Sequence, residues 1–235
     1  MPHRALPCAA LFALLAAPAH AGSLATDVNV ATGIDMSESV AIGAIRIELA
    51  GLAAALRSPD YVAAIRRGPH GRIGFAVYAW YEKYFPPLIA WRAIGTEAEA
   101  AAAAAEIESF DLRVLDFRER GDSFYMSRQT DLSGALDHGR ALLDMAPFRS
   151  DRGVLNVIGN GTDNVGEDVD AAHARMVGGG FTVNAVVTDS DPALLGYFRN
   201  RVTVGRGAFV LAAGPAVDFA TVMQRKLAWD IAEGP

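Results

Sequence analysis

Strand-like runs alternate with helix-like stretches along nearly the whole chain, and that alternation leaves few architectures open. Residues 28–34 are a short β-like run ending at Asp35. From Ser39 onward, Ile42, Ile45, Leu49, Leu52 and Leu56 fall on one stripe at helical spacing. Ser58-Pro59-Asp60 restarts a short helix, and Gly68-Pro69-His70-Gly71 is a turn. Residues 72–80 and 87–94, rich in β-branched and aromatic side chains, read as two strands. Thr96 is placed to cap a following Ala- and Glu-rich helix, with Glu99 as its capping-box partner. Residues 111–127 are charged and aromatic without a period and read as an irregular insertion.

Beyond it, Leu132, Ala135, Leu136, Leu142 and Leu143 mark another helix. Residues 154–158 are a nearly continuous apolar run, as expected of a strand covered on both faces. A helix over 167–177 is stopped by Gly178-Gly179-Gly180, and a second buried strand follows over 181–187. Residues 194–198 are helical, 208–212 a strand, and 217–231 a closing helix. The pattern predicts an α/β fold: a doubly wound, mostly parallel, Rossmann-like sheet with helices on both faces. Ligands in such folds sit beyond the carboxyl ends of the strands. Three loops are thereby singled out: after Ile34, around Thr130, and after Gly159.

The first residues read as a targeting signal. Arg4 precedes the apolar run 9–17, and Ala19-His20-Ala21 places small residues at both cleavage-site positions. Residues 1–21 are therefore expected to be a signal peptide, followed by a single domain over 22–235 and a periplasmic or secreted location. Cys8, the only cysteine, leaves with that segment, which excludes disulfides, thiolate catalysis and Cys-ligated zinc. A chain 51% apolar and 20% charged is globular in composition, and a net charge of −6 gives no basic footprint for nucleic acid. The longest uncharged apolar stretch, residues 5–19, is shorter than the roughly 20 residues a spanning helix needs.

The first of the three loops reads Asp35-Met36-Ser37-Glu38-Ser39, a D-x-S-x-S at the end of the first strand. Oxygen side chains at alternating positions of a non-helical loop can converge on one hard cation, since Mg²⁺ takes oxygen ligands and keeps several waters. A strand, this motif, a helix, a Thr opening a later helix, and a polar residue after an apolar strand together resemble the von Willebrand factor type A domain. In that family these motifs form the metal-ion-dependent adhesion site. More narrowly, the chain resembles a bacterial family of exported type A-like proteins of unknown function. The closer match rests on Arg57-Ser58-Pro59, Gly68-Pro69-His70-Gly71-Arg72-Ile73, Gly205-Arg206-Gly207-Ala208-Phe209-Val210 and Arg225-Lys226-Leu227. The similarity runs from about residue 28 to residue 231.

The resemblance implies that Asp35, Ser37 and Ser39 form the first metal loop and that Thr130 is the ligand of the second. It implies Mg²⁺ or Mn²⁺ as the metal and a protein partner whose acidic side chain completes the shell. In the third loop the family carries an Asp-Gly pair, whereas this chain has Gly159-Asn160-Gly161. Asn160 offers a carbonyl oxygen but no charge, which weakens attraction for a divalent ion. Asp131 and Asp163 lie near enough in sequence to replace that charge. Two readings stay open: a non-enzymatic, extracytoplasmic adhesion-type module with a weakened metal site, or a metal-free interaction scaffold. A third, a small exported serine hydrolase using Ser37, lacks a G-x-S-x-G elbow, because Met36 and Glu38 flank the serine.

Plainer roles stand beside these. Ser37 and Ser39 suit a helix N-terminus as capping residues, and Asn160 before Gly161 suits a turn. His138 and His173 have no histidine or acid partner at i+4. The glycines around Asn160 miss a dinucleotide fingerprint, since Asn164 stands at its third required position. Trp80, Tyr81, Tyr84, Phe85 and Trp91 read mostly as strand core.

Overall fold

The computed structural model describes residues 23–113, 129–165, 168–214 and 217–232. The expected signal peptide and residues 114–127 of the expected insertion lie outside the described residues. Among the described residues six strands form one sheet: β1 (Asn29–Asp35), β2 (Ile73–Trp80), β3 (Pro87–Ile94), β4 (Gly153–Gly159), β5 (Thr182–Val187) and β6 (Val210–Ala212). Their spatial order is β3-β2-β1-β4-β5-β6. β1 lies at the centre, parallel to β2 on one side and β4 on the other, with Asn29 opposite both Gly74 and Gly153. Only β3 runs antiparallel, folding back on β2 through a tight connection at Tyr81–Tyr84 in which Glu82 takes a positive φ of 46°.

Among the described residues seven helices cover the sheet: α1 (Ile42–Leu56), α2 (Pro59–Arg66), α3 (Glu97–Glu108), α4 (Leu132–Asp144), α5 (Val169–Gly178), α6 (Pro192–Tyr197) and α7 (Phe219–Ala232). Strand alternation sends Val30, Ile34, Phe75, Val77, Val154, Ile158 and Val186 to the face packed by α1, α2, α3 and α7. Ala31, Tyr78, Trp80, Leu155, Val157, Val183, Ala185 and Val187 point to the other face, under α4, α5 and α6. Burying each such large side chain stabilises the fold by roughly 1.5–3 kcal/mol before chain entropy is set against it.

Most sequence-level boundaries hold within a few residues. Thr96 Oγ1 accepts the Glu99 amide at 3.2 Å while Glu99 Oε2 accepts the Thr96 amide at 3.0 Å, the reciprocal capping box. α5 ends at Gly178, and Gly180 takes a positive φ of 70°. The expected strand over 208–212 is shorter. The turn at Gly205 and Gly207 (φ 100° and 70°) delivers Phe209 so that its amide donates to Asn184 Oδ1, and pairing with β5 begins only at Val210. The helix expected over 194–198 starts earlier, at Pro192, and widens into one π-helical turn over Phe198–Val202. Tyr84 is corrected from the expected strand core: it sits in the β2–β3 connection, 56% exposed, stacked on Tyr81. Trp80 is fully buried. No helix among the described residues is long and apolar enough to cross a membrane.

α7 is held to the sheet by polar chemistry that its apolar spacing does not announce. Lys226 and Asp230, one turn apart, are both buried and joined at 2.7 Å. The same carboxylate accepts from Asn156 Nδ2 of β4 and Asn184 Nδ2 of β5, each at 2.9 Å. Asn156 also donates to Thr32 Oγ1 of β1 at 3.2 Å. Burial pulls the Lys226 ammonium below its usual pKa, and Asp230 pulls it back up. Removing one partner from such a site leaves the other as an uncompensated buried charge, which costs about 3–5 kcal/mol. We expect Asp230→Ala, which strands an ammonium and two amides, to lose that much in urea unfolding. Lys226→Met leaves the carboxylate with both amide donors and should lose less.

Candidate metal centre

The first loop leaves β1 at Asp35, whose side chain is fully buried. Asp35 Oδ1 accepts the Ser37 amide at 2.8 Å, bending the chain back immediately after the strand. The Met36 amide donates to Trp80 O of the neighbouring strand, and the Val40 amide closes a turn on Ser37 O. Met36 and Val40 sink into the core. Apolar anchors on either side thus hold Ser37 and Ser39 at the carboxyl edge of the sheet, their hydroxyls 3.0 Å apart. The capping role expected as an alternative for both serines is corrected here. α1 begins only at Ile42, with Ala41 at its N-cap.

The third loop threads through the remaining candidates in three successive residues. A Cβ on Gly159 would stand 3.4 Å from Asp35 Oδ2. Asn160 Oδ1 accepts from Ser39 Oγ at 3.4 Å. A Cβ on Gly161 would stand 3.2 Å from Thr130 Oγ1. Thr130 is buried at the entrance to α4 and is gripped by the same loop, its amide donating to Asn164 Oδ1 at 2.7 Å and its carbonyl accepting from Asn164 N. Asp35, Ser39 and Thr130 thus border three successive residues of the third loop, Gly159, Asn160 and Gly161, with Ser37 hydrogen-bonded to Ser39 and glycine on both sides of Asn160 allowing the close approach.

Asp131 and Asp163 do not take the place of the missing third-loop charge. Asp131 Oδ1 accepts the Gly134 amide at 2.8 Å and the Ser133 hydroxyl, capping α4. Asp163 Oδ1 accepts the Ser133 amide at 2.9 Å. Both serve the N-terminus of α4, where the helix dipole favours negative charge.

The residue that sequence reasoning missed is Glu48. It lies on α1, three residues after Ile45 and four before Leu52, so it falls on the buried stripe and is only 3% exposed. A carboxylate at apolar spacing was the available signal. Burial and the nearby Asp35 push its carboxyl up to about 8, while a hydrogen bond with the Thr188 side chain acts in the opposite direction. The described histidines stand elsewhere. His70 is in the exposed turn before β2, and His138 stacks on Phe85 with its pKa lowered by burial. His173 faces Thr203 O at 3.3 Å.

The candidate donors are all oxygen: the hydroxyls of Ser37, Ser39 and Thr130, the Asn160 amide carbonyl and the Asp35 carboxylate. That set suits a hard divalent cation such as Mg²⁺ or Mn²⁺. Among the described residues there is no group of three or more His, Cys, Asp or Glu side chains able to hold a metal. The donor chemistry fits an ion bound through hydroxyls rather than one caged by imidazole or by several acids.

A family model described as a protein of unknown function (DUF1194) matches residues 25–235. Among curated proteins no sequence matches. Proximal thread matrix protein 1 from the mussel byssus, with a zinc-occupied MIDAS motif, is similar at 13% identity and a TM-score of 0.56. That likeness covers 89% of this chain and 47% of the mussel protein, so the chain spans about half of its length. The vWF domain of the type V pili tip protein Mfa5 from Porphyromonas gingivalis is similar at 11% identity and 0.56, covering 90% and 97%. The pilus adhesin SpaC from Lactobacillus rhamnosus GG gives 11% and 0.53, over 89% of this chain and 31% of that one. At such identities the likeness carries the fold, which is that of the von Willebrand factor type A domain.

Glu48 sets a pH dependence with a definite sign. Its folded-state pKa is raised, so the folded protein holds a proton that the unfolded chain releases. Its contribution to stability is intact below about pH 4.5, declines as pH rises, and is lost above about pH 8. In chelator, Glu48→Gln should flatten this part of the profile and be more stable than wild type at alkaline pH by about 1–4 kcal/mol, read by urea unfolding across pH.

Proposed function

We infer that this chain, which belongs to the DUF1194 family of proteins of unknown function, is a non-enzymatic, extracytoplasmic protein-binding module of the adhesion type, built on a divalent-metal site. The observation that supports this reading is the passage of Gly159, Asn160 and Gly161 against Asp35, Ser39 and Thr130, so that oxygen side chains from two other loops border one short stretch of the third. When bound, the cation, Mg²⁺ or Mn²⁺, supplies a Lewis-acidic position for a carboxylate from a partner protein. Asp35 anchors it, directly or through water, from a buried position that fixes its orientation. Ser37, Ser39 and Thr130 present neutral hydroxyl oxygens, and Asn160 presents a carbonyl oxygen or holds a water. Because most of these donors carry no charge, the positive field of the ion is left to act on an acidic partner.

The expected signal peptide over residues 1–21 supports an exported protein, in the periplasm or outside the cell. Similarity to pilus and byssal-thread proteins supports the same side of the membrane. Hydrolase chemistry at Ser37 finds no support in the described histidines, which are engaged elsewhere. A metal-free scaffold is favoured by one observation: Ser37, Ser39 and Asn160 satisfy each other through hydrogen bonds, and Asn160 is neutral.

Thermal unfolding with increasing Mg²⁺ or Mn²⁺ separates the two. The metal reading expects a rise in Tm in the millimolar range, abolished in Asp35→Ala and reached at about tenfold lower metal in Asn160→Asp. No rise in wild type, together with a rise in Asn160→Asp, would establish the scaffold reading. Chelator should release a captured partner only in the first case.

A further inference from the structure

Resting on the metal reading above and adding a control to it, we propose that Asn160-Gly161 is a self-modifying site. The Gly161 nitrogen attacks the Asn160 side chain, ammonia leaves, and water opens the resulting ring to leave a carboxylate in the third loop. The loop thus gains a charge after folding that it does not carry when the chain is made. Of the six asparagines in the chain, only Asn160 precedes a glycine. With no Cβ on the attacking residue, nothing crowds the ring as it closes.

The structure leaves the reacting atoms free. Asn160 and Gly161 lie just beyond β4, outside regular structure, and both are half-buried. Among the described residues the Gly161 amide makes no hydrogen bond, so no ladder or turn restrains the nucleophile. The Asn160 carboxamide is held through its oxygen, which accepts the Ser39 hydroxyl at 3.4 Å. A hydroxyl in that place polarises the carbonyl and stabilises negative charge developing on Oδ1. Ser39 is itself exposed, so water reaches the pair. The neighbouring asparagines differ on each count. Asn156 is buried, its amide nitrogen donating to Thr32 and Asp230, and Asn164 Oδ1 accepts the Thr130 amide. Each precedes a valine, whose β-branch obstructs the attack.

The reaction needs only water. Hydroxide takes the Gly161 amide proton, the nitrogen bonds to Asn160 Cγ, and the Cγ–Nδ2 bond breaks as Nδ2 takes a proton from water and departs as ammonia. Water then adds to one of the two ring carbonyls. Attack at Cγ gives aspartate, and attack at the main-chain carbonyl gives isoaspartate. The loop is pinned on either side, by the Thr188 amide on Gly159 O at 3.0 Å and by the Asn164 amide on Thr130 O at 3.1 Å. The aspartate product keeps the backbone length and therefore holds its new charge beside the Ser39 hydroxyl, where it strengthens attraction for a divalent cation.

The test follows the tryptic peptide 153–175, which carries Asn156, Asn160 and Asn164 together, by tandem mass spectrometry during incubation in chelator at mildly alkaline pH. Thermal unfolding in chelator confirms that each variant is folded. Wild type should convert at Asn160 while the other two remain amides, and faster as pH rises. Gly161→Ala, whose Cβ would stand 3.2 Å from Thr130 Oγ1, should convert more slowly. Ser39→Ala should slow conversion in the folded protein but not in urea, a difference that lability of the sequence alone does not produce. An amide retained at Asn160 in the folded protein, while the urea-unfolded chain converts, would overturn the proposal and leave the metal centre standing. Fresh and converted protein, separated by anion exchange, are then titrated calorimetrically with Mg²⁺ and with Mn²⁺ alone beside Asn160→Asp. The converted protein should bind at about tenfold lower metal than the fresh protein. Converted protein that binds no more tightly than fresh protein, while Asn160→Asp does, would overturn the gain in affinity. No binding by any form, Asn160→Asp included, would overturn the metal reading, with the conversion still read separately by mass.

Discussion

The site exists because the chain changes sides at the centre of the sheet. From β1 it leaves through α1 on one face and reaches β2; it arrives at β4 from α4 on the opposite face. Adjacent parallel strands whose connections depart in opposite directions cannot close over their carboxyl ends, so a crevice opens between β1 and β4. Everything in the candidate centre follows from that. Asp35 ends β1, Asn160 follows β4, and Thr130 stands where α4 begins its run across the opening. The full burial of β1 on both faces keeps that crevice rigid, since any slip of one residue would exchange the residues of its two faces.

Two groups of buried charge in this molecule show opposite solutions. Around Asp230 the carboxylate meets an ammonium and two carboxamides from neighbouring strands, and every participant gains a partner. Such a node fixes α7 against β4 and β5 at one register and resists sliding. Glu48 on α1 has no such ammonium: burial first, and Asp35 second, raise its carboxyl to about 8. In the first arrangement both carboxylate oxygens of Asp230 are satisfied within the fold; in the second, Glu48 Oε2 is buried without a partner.

Much of this was legible in the chain. Apolar runs at 154–158 and 181–187 announced doubly covered strands, and the capping box at Thr96 and Glu99 announced a helix start. The D-x-S-x-S motif announced the first loop because local sequence alone sets its geometry. What could not be read were relations fixed by tertiary packing. The engagement of Asp131 and Asp163 with α4 depends on loop and helix N-terminus meeting in space. The buried role of Lys226 depends on Asn156 and Asn184 waiting beneath it. Tyr84 was misplaced because aromatic content signals a strand without distinguishing the strand from its turn. Glu48 was visible as an acid on an apolar stripe, but periodicity weighs what is apolar and passes over the exception.

The two ends of the described chain meet at the edge of the sheet opposite the three loops. Ala25 bridges to Arg149, and the Arg152 guanidinium, just before β4, grips the carbonyls of Asp230 and Ile231 at the close of α7. Entry and exit are therefore clasped side by side at one pole, with the oxygen-lined crevice at the other. A molecule fastened to a surface by either end would stand with its crevice facing away from the anchorage, like a cup held by its stem.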